Sequence, residues 1–81
     1  MATPAHQRQR PIQTVRHPYK ECVIEVYVYN LANGLYTAQG DIGRQTSGTK
    51  MGFDTGRELP TKEAAVVAGI EVGKKRIDRD G

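Results

Sequence analysis

Phe53-Asp54-Thr55-Gly56 is the stretch with the most obvious chemistry. An apolar residue followed by Asp-Thr-Gly is how aspartic peptidases present a catalytic carboxylate. Such an enzyme needs two carboxylates sharing one proton, so that one is ionised and its partner is not. This chain offers one such stretch and would have to dimerise to complete the pair. Here Arg57 takes the place of the small residue that follows Gly in that pattern. The segment beyond it reads as a helix rather than as further strands. The residues therefore predict a strand end and a turn, with Gly56 supplying the unusual dihedral and Asp54 a local hydrogen bond.

Gly43-Arg44-Gln45-Thr46-Ser47-Gly48-Thr49-Lys50 has the glycine spacing of a phosphate-binding loop. Thr49 and Lys50 stand in reverse order, however, and a strand follows where that loop needs a helix N-terminus. It predicts a hairpin loop. His6 and His17 fall in a stretch expected to be an arm. Cys22 opens a strand on the inward face and reads as a small buried hydrophobe. Glu21, Glu25, Asp41 and Asp54 are scattered along strands. No catalytic residue, metal ligand, cofactor or small-molecule substrate is predicted, and the expectation is a protein without enzymatic activity.

The elements that must position these residues follow from periodicity. Cys22–Asn30 alternates and is rich in β-branched and aromatic residues. Its Cys22, Ile24, Val26 and Val28 share one face, and Val23, Glu25, Tyr27 and Tyr29 the other. Asn33-Gly34 marks a hairpin, since both residues tolerate positive φ. Residues 35–42 form a second strand, with Tyr36, Ala38 and Ile42 inward. Residues 49–55 form a third, with Met51 and Phe53 inward and Lys50, Gly52 and Asp54 outward. Beyond Pro60 the period becomes helical. Thr61 is the expected N-cap and Glu63 suits the first turn. Val66, Ile70, Gly73 and Ile77 make the inward stripe, and the helix ends near Gly73 or Ile77. Gly69 and Gly73 would bring its backbone close to its neighbour.

The expected fold is α+β: an antiparallel meander of three strands with one C-terminal helix on one face. Ile12 and Val15 offer a fourth, edge strand. Val67 joins Val66, Ile70 and Ile77 in the expected core. At 81 residues the chain has room for one domain. Residues 1–18 read as a flexible basic arm and 19–81 as the domain.

Charge is distributed unevenly. The net charge is +3. Arg8, Arg10, Arg16 and Lys20 are the charged residues of positions 1–20, and all 9 acids lie beyond them. The single cysteine excludes an internal disulfide and suits a reducing, cytoplasmic setting. No apolar run is long enough to span a membrane, and the first residues lack the apolar core of a signal peptide.

Two features remain as binding surfaces: the arm, and the open sheet face. Arg8, Arg10, Arg16, Tyr27, Arg44, Lys50 and Arg57 are the candidate nucleic-acid contacts. Glu25, Asp41 and Asp54 share that face and would repel phosphates. The alternative is a protein partner or a homodimer, for which paired tyrosines on an exposed sheet are suited.

The stretch from Gly34 to Ala68, with GLYTAQGDI and KMGFDTGRELPTKEAA, resembles the three-stranded arm-type DNA-binding domains of phage and transposon integrases. It carries acids where those domains carry more Arg and Lys, and no catalytic domain follows. The chain as a whole resembles small uncharacterised β-β-β-α proteins of proteobacteria and their prophages, through its Tyr-Lys-x-x-x-Ile opening and its FDTGR-x-x-x-T-x-EA centre. These resemblances imply the β-β-β-α fold and a mobile-element origin, and assign no activity.

Overall fold

The computed structural model describes residues 10–80; Arg8 and His6 lie outside them. Four strands, β1 (Gln13–Tyr19), β2 (Cys22–Asn30), β3 (Tyr36–Arg44) and β4 (Lys50–Asp54), precede one helix, α1 (Lys62–Asp80). The strands form a single antiparallel sheet in the order β1-β2-β3-β4, and α1 covers one face. The α+β fold expected from the two periodicities is the one observed, in its four-stranded form.

β1 corrects the boundary of the arm. Gln13–Pro18 read from sequence as part of the arm, with an edge strand offered by Ile12 and Val15; in the structure they pair residue by residue with Val28–Val23. The strand is hard to read because only Val15, His17 and Tyr19 turn towards the helix side, and each is half-buried. Pro18 is tolerated because an edge strand can lack an N–H on its solvent side.

The hairpins differ in how they turn. Lys20 and Glu21 alone join β1 to β2, and Lys20 adopts φ +55°. Between β2 and β3, Gly34 N–H bonds the Leu31 carbonyl and Leu31 N–H bonds the Leu35 carbonyl. Gly34 takes φ +84° and Asn33 stays at negative φ. Its carboxamide Oδ1 accepts from Leu35 N–H at 3.0 Å. This is a three-residue loop closed by glycine, not the two-residue turn with two positive φ values.

The core lies between β2, β3 and α1. Ile24, Val26 and Val28 are wholly enclosed, with Ala38, Ile42 and Phe53 beside them. The helix meets them through Ala65, Ala68, Gly69, Gly73 and Ile77. Two expected core members are not there. Val67 is 53% exposed and Met51 37% exposed. The helix turns its smallest side chains to the sheet, which rotates Val67 outward and leaves Val66 and Ile70 half-buried. Met51 sits on the β4 edge, away from β2 and β3 where α1 chiefly packs. Leu59 takes a buried place instead, held by paired backbone bonds with Tyr36. Thr61 caps α1 through Oγ1, accepting from Ala64 N–H at 3.0 Å. The helix runs past both Gly73 and Ile77 to Asp80. It is not long and apolar enough to cross a membrane.

Candidate nucleic-acid interface

The Phe53-Asp54-Thr55-Gly56 stretch forms the turn its residues predict. β4 ends at Asp54, and Asp54 Oδ1 accepts from Gly56 N–H at 2.8 Å. Gly56 adopts φ +65°. Thr55 is tied to β3, donating from both N–H and Oγ1 to the Ala38 carbonyl. Asp54 is on the exposed outer face, where Gln39 Nε2 reaches its Oδ2 at 3.5 Å. Within the Gly43–Lys50 segment, residues 45–49 form the hairpin loop between β3 and β4, closed by Arg44 N–H bonding the Thr49 carbonyl at 3.0 Å. Among the described residues no three His, Cys, Asp or Glu side chains gather as a metal site.

The open sheet face is acidic at its centre. Register places Arg16, Glu25, Asp41 and Gly52 in one cross-strand row, and Thr14, Tyr27, Gln39 and Asp54 in the next. Tyr27 Oη donates to Asp41 Oδ2 at 3.0 Å and Glu25 Oε1 at 3.1 Å. Burial pushes the Tyr27 phenol above its ordinary pKa, and the bonds to Asp41 and Glu25 push it further. Arg16 is turned to Glu25, Nε to Oε2 at 3.5 Å. A phosphate approaching this row meets two carboxylates already holding a phenol.

The candidate contacts separate in space. Arg10 precedes β1 at one end of the sheet, two residues before Ile12, which bonds Val28. Arg57 lies beyond the turn after β4, in a depression shared with Leu59, Glu63, Ala64, Val67, Ala68 and Glu71. Arg44 and Lys50 lie at the other end, flanking the β3–β4 loop. Arg16, Arg44 and Lys50 line a depression on the outer side of this loop.

Sequence reasoning missed one member of this end. Arg76 of α1 joins Arg44 around a cavity of about 240 Å³, whose other walls are Ile42, Thr49, Met51 and Ile77, and which Lys50 borders. Lys50 itself alternates to the outer face, where it shares a depression with Glu25 and Asp41. Arg76 Nη1 donates to Met51 Sδ at 3.4 Å. Among the described residues no acid lines this cavity. Among the described residues the ion pairs are Arg16–Glu25 and Lys20–Asp78, so Arg44, Lys50 and Arg76 enter neither. Glu21 shares an adjoining depression with Lys20 and Arg44. Asp78 is held by Lys20 Nζ at 2.6 Å and by the Tyr19 hydroxyl at 3.0 Å. The Lys20 bond is the main reason its carboxyl lies below the ordinary value. Lys20 and Lys74 place their ammonium groups 5.4 and 5.3 Å from the Tyr19 ring centre. In the sequence Arg76 is one of three consecutive bases near a helix end, where the helix dipole alone explains it. Only the helix's crossing of the sheet brings it to residues 44 and 50.

The chain matches no protein-family model, no curated protein and no solved structure.

Proposed function

We propose that this is a small non-enzymatic accessory protein that binds nucleic acid weakly, chiefly through the basic end around the β3–β4 loop. The observation that carries this reading is the meeting of Arg44 of β3 and Arg76 of α1 at one cavity in whose wall, among the described residues, no acid stands. Cations gathered at one place attract a polyanion and release its counterions on contact. The acidic centre of the open face turns phosphates away from Tyr27 and towards this end. Arg10 would add charge from the opposite end of the sheet, as a secondary contact, and Arg8, outside the described residues, remains a candidate with it. A prophage or other mobile-element origin remains part of the proposal through the resemblances in the sequence.

The test is a titration of labelled DNA at low and moderate salt. Dissociation constants of about 10⁻⁴–10⁻⁶ M are expected at physiological salt, with affinity falling steeply as salt rises. Arg44→Glu with Lys50→Glu should abolish binding, while deletion of residues 1–10 should only weaken it. Amide signals unmoved by millimolar DNA would end the nucleic-acid reading.

Self-association is the rival. It has one observation of its own: exposed Val67 stands over Leu59, Ala64 and Ala68 on the flank of α1. Light scattering at two concentrations distinguishes it, since a dimer through this flank would dissociate on Val67→Glu and leave DNA affinity unchanged.

A further inference from the structure

We infer that the cavity between the β3–β4 loop and α1 takes an unpaired base, so that the protein prefers single-stranded nucleic acid to duplex. This rests on the nucleic-acid reading above and adds to it what the cavity does besides attract phosphate.

The walls divide into two chemistries. Arg44 and Arg76 supply charge, and Ile42, Met51 and Ile77 supply an apolar surface. A site for phosphate alone has no use for that surface, and neither does a duplex, whose bases stay in their stack. A single strand presents both a charged backbone and bases free to leave it. The size fits one base better than a larger ligand. The cavity holds about 240 Å³, below the roughly 300–1,000 Å³ that encloses a drug-sized molecule.

The apolar wall is also suited to a flat, polarisable guest. Met51 is 37% exposed and offers a soft thioether at the β4 edge. Arg76 is anchored to that sulfur at 3.4 Å, so its guanidinium is held beside it. A planar guanidinium is one of the surfaces on which unstacked bases settle. The same arginine can therefore meet the base with its plane while Arg44 meets the phosphates.

Fluorescence anisotropy on the full chain tests this with three probes of equal length: oligothymidine, the same strand made abasic, and a duplex. The abasic strand carries the same phosphates without bases. Oligothymidine should bind about fivefold tighter than the abasic strand, the weak end of base-stacking contributions. It should also bind tighter than the duplex. Met51→Ser should erase that advantage without changing the salt slope. Arg76→Lys keeps the charge and should erase most of it too; both variants are first checked for an unchanged melt. Equal affinity for intact and abasic strands, a preference for duplex, or an oligothymidine advantage that survives both substitutions would overturn the base site. Each of those results leaves the basic-end reading standing if Arg44→Glu still weakens every probe. Failure of all three probes to bind would end both.

Discussion

Gly40 of β3 lies directly beneath the Phe53 ring of β4. The two are cross-strand partners, and a Cβ on Gly40 would overlap the ring and the Glu25 carbonyl oxygen, with Phe53 Cε2 at 2.7 Å. The missing side chain is the space into which the aromatic ring folds.

Both partners should therefore be intolerant of exchange. Gly40→Ala forces the ring or the β2 backbone to move, and overpacking of this kind costs about 1–3 kcal/mol. Phe53→Ala removes the only phenylalanine and opens a cavity, costing about 3–5 kcal/mol. In a domain this small that is enough to unfold it. Urea denaturation of both variants is the check, and a melt unchanged by Phe53→Ala would mean the ring is not in the core.

Gly69 and Gly73 should behave against the usual helix rule. Replacing an interior helical glycine by alanine ordinarily stabilises by roughly 1 kcal/mol. Here a Cβ at residue 69 would lie 2.5 Å from Val26 Cγ1, and one at residue 73 would lie 2.8 Å from Ile24 Cγ2. Val26 and Ile24 are fully buried and β-branched, so neither can swing aside. Overpacking at about 1–3 kcal/mol outweighs the propensity gain. Gly69→Ala and Gly73→Ala should each lower the melting temperature, and a rise in either would show a looser helix–sheet contact.

The turn after β4 should respond to backbone conformation rather than to lost chemistry. Nothing lies within 4 Å of a Cβ built on Gly56, so only its φ of +65° resists a side chain. Gly56→Ala should cost about 1–2 kcal/mol. Asp54→Ala loses the bond to Gly56 N–H and should cost about 0.5–1.5 kcal/mol. Asp54→Asn retains an acceptor and should stay close to the parent. Urea midpoints separate the three. Peptidase activity that vanished in Asp54→Asn would make this carboxylate more than a turn former.

Tyr27 should give the fold a stability that fails in alkali. Its folded pKa lies above the ordinary phenol value of 10.0, first through burial and then through the bonds to Asp41 and Glu25. The unfolded phenol ionises first, so above pH 10 the folded state binds more protons than the unfolded one. The contribution is therefore complete below the unfolded pKa and is lost as pH rises through the folded value. Tyr27→Phe should have a shallower fall of stability in that window. Parallel slopes for the two proteins in alkaline urea titrations would assign the effect to other groups.

What the sequence determined by itself was local. Period-2 alternation identified β2, β3 and β4, because a strand with one covered face must alternate whatever it packs on. Thr61 and the change of period after Pro60 located α1, and Gly34 and Gly56 the turns, because caps and positive φ values are properties of a few neighbouring residues. What the tertiary structure decided was everything that depends on which elements meet. β1 joins the sheet through backbone bonds to β2, which its polar side chains do not advertise. The helix presents Ala65, Ala68, Gly69 and Gly73 rather than its valines, because close approach to Val26 and Ile24 leaves no room for larger side chains. The basic end exists only because α1 returns across the sheet and sets Arg76 beside Arg44, two cations that no spacing in the chain connects.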